Sequence, residues 1–594
     1  MNSGKFYASQ LEKQRQLKVS LSKKANFFST VRVVVFILFI TVIVYELNER
    51  ALQPAIWLTL LLIIVLAVLI SFHNKVKAQL SIVVNFVNLL NIEIEKQKGN
   101  YTHIEGAIEF TDELHPNSSD LDLFGNKSIF QFINQTTSFF GKSNLALWLL
   151  NKAETNEILK RQAAAKELSE NQFWCFKYRA SGLSEHIEKK HIVSFNEWLA
   201  GDKKLIENTF LKRAIIILPS LFLLIAIGSF MFDYTLYTTA PILIVSGILL
   251  SKQHKYASKT VNETYDSLAT LQVLANQLII LENSSFSSDY LDEIKKSISS
   301  TQIASKEIKR LHLLLDNLQS RNSMMHAFIN IPFMLDIRWL IKLEEWRSEN
   351  AVHVEKWFDS LAKTESLISL SGLYYNHPEW VMPTFTESTY FFKATELTHP
   401  LLGKGGVSNN FSFSSTGNCN LITGPNMAGK STFLRTVATS YVLAQMGAPV
   451  NAKEFVVNPS PLIFTAMRVK DNLSESVSSF YAELDRIKQL IVKINSGEQC
   501  LYFLDEILKG TNSADRHKGA EALIRQLHKL EATGFVSTHD LELGELASKD
   551  NFVKNFSFES DIKEGVIMFD YTIKEGICSS FNACELMRQM GIEV

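Results

Sequence analysis

Five cysteines in 594 residues, scattered and with no C-x-x-C pair, exclude a disulfide framework and a zinc-ribbon site and point to a reducing compartment. An excess of either charge is missing too. Sixty basic residues face 61 acidic ones, for a net charge of −1, so the chain carries no global basic signature for nucleic acid. It has no low-complexity tract and no short-period repeat. More than 25 mostly polar residues precede the first apolar run, and no small-residue cleavage site follows it, so a cleavable signal peptide is not expected. The length allows two or three domains.

What is present is a phosphate-binding loop. Thr423-Gly424-Pro425-Asn426-Met427-Ala428-Gly429-Lys430-Ser431-Thr432 fills the G-x-x-x-x-G-K-[ST] pattern. Cys419–Ile422 reads as a short buried strand before it, and Phe433–Ala438 has helical periodicity after it. In that setting backbone N–H groups cradle phosphates and the helix N-terminus adds positive potential. Lys430 would neutralise β/γ-phosphate charge and Ser431 would ligate Mg²⁺. Downstream, Leu501–Leu504 forms an apolar strand ending in Asp505 and Glu506. Asp505 is placed to hold Mg²⁺ through water, and Glu506 to orient or deprotonate the attacking water. A third strand, Gly534–Ser537, leads into Thr538-His539-Asp540. His539 is a candidate γ-phosphate sensor, although a histidine there could also simply cap the next helix. Strands and helices alternate from about Asn418 to Phe558, which predicts a mainly parallel sheet with crossover helices.

The residues between these motifs resemble the MutS mismatch-repair family, whose loop is TGPNMGGKST. Ala428 replaces one glycine. Ala444–Ala452 is similar to the family's AQ-x-G-x-x-V-P-A segment. Asp471-Asn472-Leu473, Ser478-Ser479-Phe480 and Glu483 resemble its D-x-L…STF-x-x-E stretch, and Asp505–Thr511 matches DEIGRGT with two departures. Together these segments cover about 200 residues. A looser block resembles the family's core, or lever, domain: Asp120–Gly125, Ser128–Phe130, Leu145–Leu150, Arg161-Gln162 and Glu365–Leu370, with His399-Pro400 leading into the ATPase domain.

The resemblance implies an ABC-type α/β P-loop ATPase domain on an all-α lever. It further implies ATP and Mg²⁺ as ligands, a homodimer joined through the ATPase domains, and DNA as a partner. It also implies that the loop carrying Ser478 and Ser479 reaches the partner's γ-phosphate, which is compatible with the plainer reading of a serine-rich helix N-cap. The family's mismatch-recognition wedge, Phe-x-Glu, has no place ahead of the core. Phe385-Thr386-Glu387 matches the triplet but lies between core and ATPase, and reads as chance. The connector domain and a helical C-terminal extension are likewise not expected.

Four apolar stretches depart from that family plan: Val31–Tyr45, Ala51–Phe72, Ala214–Phe232 and Tyr234–Leu250. A bilayer crossing needs roughly 20 apolar residues, and the short links near Asn48 and Asp233 suggest two transmembrane hairpins. Lys13, Arg15, Lys18, Lys23, Lys24, Lys75 and Lys77 flank the first. Lys203, Lys204, Lys212, Arg213, Lys252, Lys255 and Lys259 flank the second. The positive-inside rule then places the ATPase in the cytoplasm. The expected organisation is a cytoplasmic segment 1–30, hairpins 31–72 and 213–251, helical regions 73–212 and 252–385, and an ATPase domain 386–594. Two functions follow: a membrane-tethered DNA clamp driven by ATP, or an ABC-like membrane mechanoenzyme acting on lipid or protein without DNA. The usual LSGGQ signature of transporters is missing, and four helices enclose little of a pathway.

Overall fold

The computed structural model describes residues 3–49, 52–101, 103–183, 189–201, 204–232, 236–265, 267–299, 302–468, 479–563 and 566–578. Two long antiparallel helices open the chain. Ser3–Glu49 and Leu52–Gln97 have 47 and 46 residues, each about 70 Å long at 1.5 Å per residue. The expected hairpin 31–72 is therefore only the tip of a longer one, and no break separates residues 3–30 from it. Its apolar tip is exposed, with Val34, Ile37, Leu61 and Ile64 all facing outward. Its root is buried: Tyr7 packs with Phe86, Leu89, Leu90 and Phe176. There Glu93 pairs with Arg179 at 3.1 Å, both buried. The Tyr7 hydroxyl donates to Asn376 Oδ1 at 2.6 Å.

The second apolar region differs from expectation. Thr209–Phe232 is one helix with Pro219 inside it. Among its described residues, the stretch Tyr234–Leu250 is not one continuous apolar helix. Leu236–Thr239 is a 3₁₀ turn, and the helix Ala240–Thr264 has only a dozen uncharged residues before Lys252. Among the described residues, three helical segments are long and apolar enough to cross a membrane: Ser3–Glu46, Trp57–Gln97 and Thr209–Ser229. Asp233, the expected link, lies outside the described residues.

The helical body is organised by Leu335–Asn376, 42 residues long, which packs on Phe139–Leu150, Thr155–Glu170 and Ala304–Gln319. Leu311, Leu314, Leu315 and Leu318 of the last are buried core, while Leu313 faces solvent. A fully buried carboxylate, Glu365, ties the helices together. It accepts from Thr137 N (2.8 Å), Ser138 N (3.0 Å), Thr137 Oγ1 (3.2 Å) and Gln277 Nε2 (3.1 Å), and so caps the helix Phe139–Leu150. Gly141 is required beside it, because a Cβ there would lie 2.1 Å from Glu365 Oε2.

The C-terminal third is α/β. A four-stranded sheet has the order β1-β5-β2-β3, with β1 Thr384–Phe385, β2 Phe391–Leu397, β3 Asn409–Ser414 and β5 Glu454–Val457. Phe385 thus belongs to a paired strand. The six-stranded sheet is ordered β12-β9-β4-β8-β7-β6. Its strands are β4 Cys419–Thr423, β6 Leu462–Ala466, β7 Cys500–Asp505, β8 Thr533–Thr538, β9 Val553–Ser557 and β12 Lys574–Glu575. All pairings within it are parallel except β12 with β9. β4 and β8 are buried throughout, so both faces need apolar cover, which the crossover helices supply. A small hairpin of β10 (Ser560–Lys563) and β11 (Val566–Phe569) follows.

Candidate functional site

Ligands of parallel sheets sit at the carboxyl ends of the strands. Here β4, β8 and β7 are neighbours, so the glycine loop after β4, His539 after β8 and Asp505-Glu506 at the end of β7 converge at one edge. The register places Thr423 opposite Thr538 and Asp505 opposite Ser537.

The loop is shaped by its glycines. Gly424 has φ 148°, and a Cβ would meet the Phe558 carbonyl oxygen at 2.5 Å. Gly429, at φ 105°, starts the helix Lys430–Met446. Ala428 is buried without a left-handed φ, which is why an alanine can stand where the family pattern has glycine. Asn426, Met427 and Thr432 are exposed, Pro425 is buried and Ser431 is half-buried. The first helical bond runs from Phe433 N to Gly429 O, so the N–H groups of Lys430, Ser431 and Thr432 precede the ladder, at the positive end of the helix. Lys430 Nζ donates to the carbonyls of Gly424 (2.7 Å) and Pro425 (2.9 Å). Burial lowers its pKa, and the charges of Glu506 and Asp505 partly oppose that. Such a cradle fits a polyphosphate, and Ser431 with Asp505 fits the oxygen-donor set of Mg²⁺.

Asp505 accepts a short hydrogen bond from Ser537 Oγ. Glu506 sits at φ 47° and its N–H donates to Ser537 O at 3.0 Å. A left-handed glutamate costs about 1–2 kcal/mol and persists only where its neighbours hold it. Its Oε2 is 2.7 Å from Lys509 Nζ, and its Oε1 is 4.0 Å from His539 Nδ1. Burial alone would raise the Glu506 pKa, but the hydrogen bond and charge of Lys509, with Lys430 and His539 behind them, hold it below the usual carboxylate range. His539 Nδ1 is buried and makes no hydrogen bond among the described residues.

Ser478 lies outside the described residues, as do Asp471–Leu473. Ser479 is the first residue of the helix Ser479–Asn495. That helix contributes what the sequence alone did not reveal. The Glu483 carboxylate accepts from the N–H of Leu508, in a short bond, and of Lys509 at 3.2 Å. Leu508 stands at φ 61° where the family pattern has glycine, and Gly510 packs so tightly that a Cβ would meet Phe480 Cβ at 2.5 Å. The loop after Glu506 is thus clamped to the first two turns of the helix that follows Ser478. Two further neighbours went unread in the sequence: Cys578, whose N–H donates to Thr423 Oγ1 at 3.0 Å, and Tyr571, whose ring lies beside Gly429.

The site is joined to the helical body through residues 112–122. The buried Asp120 carboxylate accepts from Thr465 Oγ1 (2.7 Å), Met467 N (3.0 Å) and Arg468 N (3.0 Å). Asp122 receives Arg468 at 2.8 Å and Arg435, from the loop's own helix, at 3.3 Å. Arg486, on the Glu483 helix, donates to the carbonyls of His115 (2.8 Å) and Pro116 (2.7 Å).

Residues 420–592 match the family described as MutS domain V. Over 203 residues the chain is 34% identical to the DNA mismatch repair protein MutS of Bacillus velezensis, covering 33% of this chain and 23% of that protein. Against the MutS of Oceanobacillus iheyensis it is 31% identical over 254 residues, 42% of this chain and 28% of the relative. Against the DNA mismatch repair protein MSH6 of Arabidopsis thaliana it is 30% identical over 262 residues, 40% and 20% of the two chains. The matched region therefore spans less than a third of the length of each of these relatives.

Proposed function

We propose that this chain, whose residues 420–592 match MutS domain V, is a MutS-type, membrane-tethered ATPase whose nucleotide cycle drives a dimeric clamp on DNA. The observation that carries the reading is the convergence of the Lys430 loop, Asp505-Glu506 and His539 at the ends of three adjacent strands. In this reading the loop N–H groups and Lys430 bind the ATP phosphates. Ser431 and Asp505 hold Mg²⁺, which supplies charge neutralisation on the phosphates. Glu506 positions and deprotonates the attacking water, and His539 senses the γ-phosphate. Ser478 and Ser479 complete the partner's site, so that ATP closes the dimer and hydrolysis resets it.

Exposed apolar helices support the membrane tether. A soluble protein rarely presents so much contiguous apolar surface, and here it covers the tip of the first hairpin and the helix Thr209–Phe232. The same surface favours the second reading, a membrane mechanoenzyme with no DNA step. One experiment separates them. Detergent-extracted full-length protein is assayed for ATP-dependent retention of duplex DNA, with Glu506→Gln as the trapped form. The clamp reading expects ATP to raise retention and the variant to prolong it. Hydrolysis without any retention, with or without ATP, would replace the clamp by the mechanoenzyme.

A further inference from the structure

A cavity of about 520 Å³ lies between the helices Ala240–Thr264 and Met324–Phe333, outside the nucleotide site. Its polar wall is Ser251, His254, Arg321, His326, Asn330 and Asp336. We propose that this cavity is a site for the phosphate of an anionic phospholipid headgroup. The proposal rests on the membrane reading above.

Hydrogen-bond roles make the wall rich in donors. Arg321 Nη2 lies 2.9 Å from His254 Nδ1, and a guanidinium can only donate, so Nδ1 is the acceptor. The exposed His254 ring is then the tautomer with its proton on Nε2, a second donor. Asn330 Oδ1 is taken by the N–H of Asp336 at 3.0 Å, which leaves the amide NH₂ to donate. The one carboxylate is already engaged: Asp336 accepts from His326 Nε2 at 2.9 Å and lies 3.6 Å from Arg321 Nε. Arg321 Nη1 also donates to Ser258 Oγ at 3.3 Å, which leaves one N–H on each terminal guanidinium nitrogen; with His254 and Asn330 these offer N–H groups from three sides, a donor set suited to phosphate.

Position selects a lipid. The helix Ala240–Thr264 is uncharged up to Ser251 and then carries Lys252, Lys255 and Lys259. Thr209–Phe232 has Lys212 and Arg213 in its first turn and no charge after them. Met324–Phe333, which packs on both, is uncharged and exposes Phe328 and Ile331. This ten-residue helix is too short to span, and it suits the shallow, interfacial placement of an apolar helix at acyl-chain depth. Gly247, Leu250, Ser251 and His254 place the cavity where the Ala240–Thr264 helix turns from apolar to basic, the level of headgroups.

The test is native mass spectrometry of the detergent-extracted full-length protein, titrated with phosphatidylglycerol, diacylglycerol or inorganic phosphate. Wild type should bind phosphatidylglycerol about tenfold or more tighter than diacylglycerol, which has no phosphate and so forfeits two charge-assisted hydrogen bonds. That preference should vanish in Arg321→Gln and in His254→Ala, whose side chain is exposed and leaves the fold intact. Equal affinity for the two lipids, or an undiminished preference in His254→Ala, would overturn the site. Inorganic phosphate displacing the lipid at equal concentration would overturn the lipid source. Carbonate extraction reads the underlying premise separately: release into the soluble fraction refutes the membrane reading, whereas retention without lipid preference refutes the cavity alone.

Discussion

Replacing Glu483 by alanine should slow ATP hydrolysis without weakening ATP binding. The carboxylate receives two backbone N–H groups, of Leu508 and Lys509, and among the described residues it makes no hydrogen bond to the phosphate loop. Hydrogen bonds to a charged group are worth about 1.5–3 kcal/mol each, and the Lys509 amide is half-exposed, so about 2–4 kcal/mol for the pair is reasonable. That energy holds Leu508 at φ 61° and keeps Glu506, two residues earlier, at φ 47°. At about 1.36 kcal/mol per decade, its loss lowers kcat by roughly 30-fold or more. The ATP dissociation constant should change less than about threefold, because the cradle is untouched. Glu483→Gln, which keeps one acceptor oxygen but turns an NH₂ toward a donor, should fall between.

The wild-type pH profile offers a second readout. Burial pushes the Glu483 pKa up, against the partial opposition of the two N–H bonds and the Lys509 charge. A carboxyl raised in the fold favours the folded state below its unfolded pKa, a contribution lost as pH rises through the folded value, so acid does not unfold the protein through this group. It does remove the anionic acceptor. The rate should therefore decline on the acid side above the ordinary glutamate range, and the glutamine variant should lack that limb. Steady-state kinetics and nucleotide titration suffice. A Glu483→Ala protein with wild-type kcat would refute the clamp on the catalytic loop.

Other expectations follow from neighbouring contacts. Lys509→Ala removes the main group holding the Glu506 pKa down, so single-turnover rates should lose their acid tolerance and decline at higher pH than in wild type; an unmoved limb removes Glu506 as the titrating base. Mixing a Ser478→Ala/Ser479→Ala chain with a Lys430→Ala chain should restore activity above the sum of the two, since each mixed dimer keeps one intact composite site; strict additivity means the site is built within one chain. Glu365→Ala leaves two buried N–H groups and Gln277 without an acceptor, at a cost of about 3–5 kcal/mol; the thermal midpoint in detergent should drop by several degrees while nucleotide affinity at low temperature stays, and an unchanged midpoint contradicts the capping role.

The parts of this molecule legible in the sequence are those specified by short windows. The phosphate loop, the apolar strand before Asp505 and the strand before His539 each declare themselves within ten residues, and the alternation around them implies the parallel sheet. Longer-range relations left no such trace. Glu483 acts on Leu508, 25 residues away along the chain, through backbone atoms that carry no residue type. Leu508 itself read only as a departure from a glycine pattern, not as a left-handed leucine held from outside. Hydropathy found the apolar tip of the first hairpin but not its polar stem, because residues 3–30 are helical by packing of their root rather than by an apolar run. It also gave no sign that a 3₁₀ turn takes up Leu236–Thr239 ahead of a helix that becomes basic from Lys252. The helix Met324–Phe333 escaped for the opposite reason: ten residues fall below any spanning threshold.

The contacts also place the phosphate loop and the N-terminal helical hairpin on one continuous frame. Arg435 belongs to the helix that the phosphate loop begins, and it reaches Asp122. Asp120 grips the backbone at Met467 and Arg468, just past the end of β6. The segment 112–122 is therefore held from both sides of the site at once. From there the chain runs directly into the buried helices Ile129–Ile133 and Phe139–Leu150, and Glu365 locks the second of these to Leu335–Asn376. Asn376, at the far end of that 42-residue helix, meets both Tyr7 and Glu93 at the hairpin root. Every join in this sequence is a buried or half-buried polar contact with few alternative partners. Such joins are stiff, because breaking one leaves charges or N–H groups unsatisfied. A rigid helix between two such joins transmits a tilt rather than absorbing it. Closure of the nucleotide site would consequently appear at the hairpin as a change of angle, and a bilayer holding the hairpin would bias the site by the same coupling energy in the reverse direction.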